Sequence, residues 1–457
     1  MSSAVIDSPV GPPPGVLSRP YRAISVGMVA LILLVAFEYL AVATAMPVVA
    51  RSLHGLPLYG LAFSGSMAAS VIATVAGGRW SDVRGPVAPL WAGVGGFTLG
   101  LLIAGFAPSM HVLIAGRFVQ GIGGGLFSVA LYVVVAQVFP AAMHPKAFSL
   151  LAAAWVLPSV VGPAITGAVV EHVGWRWIFL GIPLFVAPAA LLLWRGLAGR
   201  TTVPPASDGA PGTGFRARLL WGGVVAVGAA LLQYGSGLGP GGFPLLAAGL
   251  LILAFALPRL LPRGTLRAAR GFPAVVLLRG LAAGAVFAAD VFIPLMLTGQ
   301  RGLSPTQAGL FLTGSALSWS FASWVQGRGR HDRNKLLRLG TTMLSAGVAG
   351  AALLVFAPVP LAAGLVAWLA AGFGIGLVYP ILSVLTLELS APGQEGVNTS
   401  SLQIGESVFS VVIMAVTGAV FAGLDTAWWV YLLCFGLIAA QALLGLLISG
   451  RVRPVSP

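Results

Sequence analysis

Polar residues are sparse along this chain and gather in short clusters between long apolar runs. A helix needs about 20 apolar residues to cross the hydrocarbon core of a bilayer. On that measure segments 24–48, 58–76, 87–107, 111–138, 147–170, 177–193, 219–234, 243–261, 273–298, 305–325, 336–356, 361–389, 397–422 and 427–449 are predicted to be spanning helices, fourteen in all. Hydrocarbon offers backbone groups no hydrogen-bond partner, so such runs must form helices. The predicted class is an all-α polytopic membrane protein. The longest polar interruption is 195–218, with Thr-Thr, Pro-Pro, Ser-Asp and Pro-Gly pairs.

Charge tests the count. With the N-terminus inside and crossings alternating, 20 of the 25 Lys and Arg residues fall on the inner side. Arg51, Arg176 and Arg301 fall outside, and Arg117 and Arg279 fall within helices. Cytoplasmic loops carry such an excess, so a plasma-membrane protein with both termini cytoplasmic is expected. Dropping one helix would destroy the asymmetry, whereas dropping segments 219–234 and 243–261 together would keep it.

An internal repeat separates those two segments from the rest. At offsets of 249 to 252, Gly60 to Ser66 aligns with Gly309 to Ser315, Gly121 to Leu126 with Gly372 to Leu377, and Trp177 to Phe179 with Trp429 to Tyr431. Ordered matches at one offset indicate duplication. The expected organisation is a cytoplasmic tail (1–20), a six-helix bundle (21–200), a linker with an inserted two-helix hairpin (201–270) and a second six-helix bundle (271–453). Bundles related by an axis along the membrane normal enclose a midplane site between them.

Composition narrows the function classes. The chain is 58% hydrophobic and 8% charged, against about 25% charged in soluble domains. The formal charge of +14 would suit nucleic acid, but its one-sided distribution assigns it to inner loops. Cys434 is the one cysteine, so no intrachain disulfide forms. The five histidines lack metal-ligand spacing, and no phosphate loop or catalytic triad occurs. The chain therefore reads as neither enzyme nor cofactor or metal binder. An ion gradient is left as the energy source. Expected partners are a small-molecule substrate, protons and membrane lipids, with no nucleic acid, and a monomer is the expected form.

Several motifs carry a family resemblance. Gly78 to Gly85, with Arg79, Asp82 and Arg84, resembles the loop signature G-x-L-a-D-r-x-G of the major facilitator superfamily, with Trp80 for Leu and Val83 for Arg. A degenerate copy with Asp332 lies at the repeat offset. Leu113 to Gly123, including Arg117 and Gln120, resembles the fourth-helix signature l-x-x-x-R-x-x-q-G-x-g. Gly162, Pro163 and Gly167 resemble the antiporter signature G-P-x-x-G-G, with Thr166 for one Gly. With fourteen helices, the chain resembles the drug:proton antiporters of that superfamily. Their first-helix acid is matched by Glu38, nine residues before Pro47, while Leu40 and Ala43 replace a Thr and an Asn.

Candidate chemistry lies in the intramembrane charges, each costing about 2.5–3.5 kcal/mol on insertion scales. Glu38, mid-way along the first segment, is a candidate proton or cation site, because desolvation disfavours the charged carboxylate. The alternative is a structural pair with a nearby Arg. Asp290 lies two positions from the repeat mate of Glu38, so both acids are expected to face the cavity. Glu406 reads as a third proton-coupling candidate, or as a partner of the Asp82 region. The resemblance implies that Arg117 biases a nearby acid. Arg279 is expected to snorkel inward, and Glu388 to cap or snorkel. Asp82, with Arg79 and Arg84, reads as a conformational latch, and Gly162 and Pro163 as a kink permitting close helix approach. The expected function is proton-coupled efflux of small amphipathic drugs or metabolites. The alternatives are a nutrient symporter and a lipid or glycolipid carrier.

Overall fold

The computed structural model describes residues 15–55, 59–199, 214–236, 238–303, 305–328, 332–424 and 427–453. Most of the expected tail, and 201–213 of the expected linker, lie outside them. Among the described residues there are α-helices and short 3₁₀ turns and no strand. The α-helices are α1 (Arg22–Ser52), α2 (Tyr59–Arg84), α3 (Val87–Gly105), α4 (Met110–Val138), α5 (His144–Ala153), α6 (Val156–His172), α7 (Arg176–Leu197), α8 (Gly214–Ser236), α9 (Phe243–Leu260), α10 (Phe272–Arg301), α11 (Pro305–Gly327), α12 (Arg333–Ala352), α13 (Leu361–Glu388), α14 (Glu395–Gly423) and α15 (Trp428–Ile448).

Two large apolar cores organise them. One draws Met28, Leu101, Leu131, Phe148 and Phe179 from α1, α3, α4, α5 and α7. The other joins α10 and α12 to α15 with the hairpin α8–α9, through Leu278, Val348, Trp368, Phe435 and Leu253. Glycine sets the closest contacts. A Cβ on Gly121 of α4 would strike the Ser66 carbonyl of α2, and one on Gly372 of α13 would strike the Ser315 carbonyl of α11. The matched sequences thus make matched helix contacts. Overpacking costs about 1–3 kcal/mol, so Gly121→Val and Gly372→Val should each lower the thermal transition of the detergent-solubilised protein, whereas Gly181→Val, whose Cβ would meet nothing, should not.

Among the described residues, twelve stretches are long and apolar enough to cross a membrane. The fourteen-span expectation is not supported on that measure. α2 and α11 fall short although they have 26 and 23 residues. Both bury hydroxyls between helices, while α11 also turns Leu310, Leu317, Phe321 and Trp324 outward. Thr74 and Ser81 on α2, and Ser315 and Ser323 on α11, are buried.

The expected single helix over 147–170 is broken at Ala154–Trp155 into α5 and α6. Pro158 explains the break, because a proline lacks the N–H that would bond residue 154 and its ring clashes with that carbonyl. Asp332, the repeat mate of Asp82, caps its own helix: its Oδ1 accepts from the Asn334 N–H at 2.8 Å. That amide holds the exposed Asp332 carboxyl below its usual range. A depressed carboxyl stabilises above its ordinary titration and loses that contribution as pH falls, so α12 should fray in acid at this end.

Candidate functional site

α1 presents Glu38 half-way along its length, and α4 presents Arg117 two turns from its start. Arg117 Nη1 donates to Glu38 Oε1 at 2.5 Å and to Gln120 Oε1 at 2.6 Å. Spacing i, i+3 places Arg117 and Gln120 on one face of α4. Glu38, Arg117 and Gln120 are 4%, 6% and 2% exposed. Arg117 Nε and Gln120 Nε2 have no partner among the described residues, so the cluster keeps donor capacity in reserve. Breaking a buried pair by removing one partner costs about 3–5 kcal/mol, although the intact pair need not stabilise the fold.

A second buried pair lies between α10 and α14. Arg279 Nε donates to Glu406 Oε2 at 2.7 Å. Arg279 Nη1 donates to the Tyr379 carbonyl at 3.1 Å and Ser383 Oγ at 3.3 Å, and its guanidinium lies 3.4 Å from the Tyr379 ring centroid. Tyr379 donates its hydroxyl to Glu406 Oε1 at 3.1 Å. Arg279 therefore does not snorkel: at 4% exposure it is held by a carboxylate, a carbonyl and a hydroxyl. Glu406 is held by Arg279, and its expected partner, the Asp82 region, engages the start of α14 instead. Tyr132 of α4 reaches across to Ser383 Oγ at 3.4 Å.

Asp290 sits three turns beyond Arg279 on α10. It makes no ion pair or hydrogen bond among the described residues. Tyr39 links it to the first pair, because Glu38, Arg117 and Asp290 all act electrostatically on the Tyr39 hydroxyl. The Tyr39 ring lies 6.3 Å from that of Trp155, at the break between α5 and α6. Tyr39 is 58% and Trp155 42% exposed. Both rings are exposed, and Tyr39 adjoins Glu38 in the chain.

The Asp82 carboxylate joins two distant parts of the chain. Its Oδ1 accepts from the Gly396 N–H at 2.6 Å and its Oδ2 from the Val397 N–H at 2.8 Å. Both amides belong to the first turn of α14, where unpaired N–H groups and the helix dipole favour an anion. Gly78 permits the approach: a Cβ there would come within 2.5 Å of the Gly396 carbonyl oxygen. Arg79 and Arg84, expected in the latch, form no ion pair among the described residues. Gly85 has φ +79°, which suits glycine at the turn into α3. Nearby, Ser149 of α5 donates to Gln326 Oε1 of α11 at 3.2 Å. The contacts at Asp82 and Ser149 close the Arg-rich end.

The helix-five glycines differ from expectation. A Cβ on Gly162 would meet Phe37 and Leu40 of α1 at ordinary distances of 3.8 Å or more, and one on Gly167 would meet nothing. Neither glycine is forced by crowding. The Pro163 side chain lies outside the described residues. Glu388 pairs with Arg333 at 2.5 Å on the surface.

Gln120 stands within the quoted fourth-helix signature, so its presence beside Arg117 was readable as i+3 spacing. Tyr132 and Ser383 were not singled out, because nothing local distinguishes them from packing residues. The α14 amides carry no sequence signal at all. Among the described residues, no cluster of three or more His, Cys, Asp or Glu could hold a metal ion.

Comparison with known proteins places this geometry. The chain is 26% identical over 407 residues to the multidrug transporter protein MdtP of Bacillus subtilis, covering 86% of this chain and 74% of that protein. A probable multidrug-efflux transporter of Mycobacterium tuberculosis is 26% identical over 73% of this chain and 71% of its own length. Among solved structures, the human organic anion transporter MFSD10 superposes with a TM-score of 0.69 at 16% identity, over 94% of this chain and 99% of that one. The proton:xylose symporter XylE superposes with a TM-score of 0.68 at 14% identity, over 95% and 96% of the chains. At such identities these two establish the fold alone. The family model of the Major Facilitator Superfamily matches residues 28–414. The chain belongs to the Major Facilitator Superfamily: it is a multi-pass membrane transporter of small molecules and not an enzyme.

Proposed function

We propose that the protein exports small amphipathic compounds in exchange for protons, by alternating access between two six-helix bundles, 21–200 and 271–453. The carrying observation is the buried Glu38–Arg117 pair, set within electrostatic reach of Tyr39 and, through it, of the unpaired Asp290. Buried charges are expensive in a membrane and are kept where they work. Protonating Glu38 would release Arg117 and uncouple α1 from α4. A cationic or neutral substrate would rest against Asp290 with Tyr39 and Trp155 as its apolar wall. Substrate and proton then compete for one group of carboxylates, and each favours a different arrangement of the bundles. The names of the distant relatives favour export, and so does the Gly162–Pro163–Gly167 motif.

Arg279, Glu406 and Tyr379 form the second proton-linked node in this reading. Glu406 lies on α14, whose first turn holds Asp82, so a change at Glu406 is transmitted along one helix to the latch. Arg279→Met is expected to leave Glu406 without its cation and to reduce transport by more than Arg279→Lys, which keeps a positive charge. Efflux rates of the two variants check this; equal losses would assign the node to packing.

The Arg-rich end is taken as cytoplasmic, with the protein in the plasma membrane and both termini inside. α2 and α11 are taken as spanning helices too, which gives fourteen crossings with α8–α9 as an inserted hairpin. At 1.5 Å per residue, 26 and 23 residues reach about 39 and 35 Å, more than the ~30 Å hydrocarbon thickness.

The test is uptake of ethidium, a lipophilic cation, into everted vesicles. Acid-inside vesicles carrying the protein should accumulate ethidium, and nigericin should discharge it. Accumulation driven only by an acid exterior would instead identify a symporter.

A further inference from the structure

A cleft of about 720 Å³ opens sideways between α2, α8 and α9, away from the buried pairs. Ile72, Leu220, Val227, Ile252 and Gly223 line it, and Arg216 is its one charged lining residue among the described residues. Its size is within the ~300–1,000 Å³ of small-ligand sites. Its chemistry is that of a tail with one anionic end. Among the described residues the walls offer no hydrogen-bond acceptor side chain, and Arg216 stands at the Arg-rich end of α8.

The neighbouring basic residues are already engaged. Arg218 donates to Ser401 Oγ of α14 at 3.3 Å, and Arg259 lies 3.7 Å from the Phe255 ring centroid and 5.0 Å from that of Trp221. Arg216 is exposed and makes no ion pair or hydrogen bond among the described residues. A free guanidinium at the mouth of an apolar lateral cleft matches a phosphate ester attached to acyl chains.

We infer that this cleft is a binding site for one anionic phospholipid, its acyl chain against α2 and α8 and its phosphate on Arg216. The occupant would tie the hairpin to α2, the helix that ends in the Asp82 contact. Arg218, two residues from Arg216, already ties the hairpin to α14. The lipid would thus sit at the side of the closed end and outside the transport path. The inference stands independently of proton coupling.

Gly223 provides a clean probe, because a side chain added there meets open space. Purified full-length protein is delipidated, incubated with phosphatidylglycerol or phosphatidylcholine, and examined by native mass spectrometry. One phosphatidylglycerol should be retained in preference to phosphatidylcholine by roughly fivefold, the selectivity of one basic residue at a membrane surface. Arg216→Gln should reduce phosphatidylglycerol to the phosphatidylcholine level. Gly223→Phe should remove retention of both, while Gly181→Phe, at another glycine with free space, should change neither. Selectivity unaltered by Arg216→Gln, or retention unaltered by Gly223→Phe, would overturn the assignment. So would displacement of the lipid by an equal concentration of glycerol phosphate, since the cleft would then contribute nothing.

Discussion

Glu38→Gln is expected to abolish proton-driven efflux while leaving the protein folded. The amide keeps an oxygen for Arg117 Nη1 at nearly the same place, so the contact now spanning 2.5 Å is weakened and not removed. What is lost is the titrating group. Ethidium should still bind, because Asp290, Tyr39 and Trp155 are untouched, but its movement should no longer follow the pH gradient. Two further variants separate structure from coupling. Arg117→Ala strands Glu38 in a buried site and should cost about 3–5 kcal/mol of stability. The double variant Glu38→Gln/Arg117→Met removes both charges and should recover most of that stability without recovering transport. A thermal-shift assay beside an efflux assay reads both quantities. Efflux at the wild-type rate in Glu38→Gln would remove this residue from the mechanism.

Asp82→Ala is expected to open the Arg-rich end. The carboxylate accepts from two N–H groups of α14, at 2.6 and 2.8 Å. A hydrogen bond to a charged group contributes about 1.5–3 kcal/mol. Losing one such contribution changes a two-state ratio by roughly 10- to 150-fold. In the proposed opening the Gly396 and Val397 amides separate from Asp82, so the change would act on the closed state alone. Asp82→Asn should fall between wild type and Asp82→Ala, since it keeps one acceptor and loses the charge. A cysteine in place of Gln326, at the Ser149 contact, reports the opening through labelling by an impermeant maleimide. Cys434 is buried and should stay silent. Labelling should rise in the order wild type, Asp82→Asn, Asp82→Ala. Equal rates would show that the contact does not hold the ends together.

The helical class was legible in the sequence because apolar runs of spanning length leave lipid-exposed backbone no alternative. Helix ends were legible to within a few residues where a polar cluster or a Pro marked them, as at α3 and α4. The break at Pro158 was missed because apolar periodicity continues through it. The spanning status of α2 and α11 does not follow from length alone: both carry hydroxyls in the packed interior, among them Thr74, Ser81 and Ser323. Among the candidate residues, Glu38 and Arg117 stood out because charge in an apolar run is conspicuous. Their direct pairing stood as one of two readings, since sequence alone does not rank α4 over other neighbours of α1. Arg279 was assigned to snorkelling for a related reason. Its carboxylate lies 127 positions away on α14, a separation no local pattern reveals. Asp82 was placed correctly at an end, but its partners are backbone amides, which every sequence contains.

Proton exchange itself is best tested with purified protein in liposomes that hold a trapped pH dye and an acidic lumen. External ethidium should make the lumen more alkaline as protons leave against entering cation, and Glu38→Gln liposomes should show no change above protein-free ones. Lumen acidification on adding substrate, or an undiminished pH response in Glu38→Gln, would contradict exchange through the Glu38–Arg117 pair.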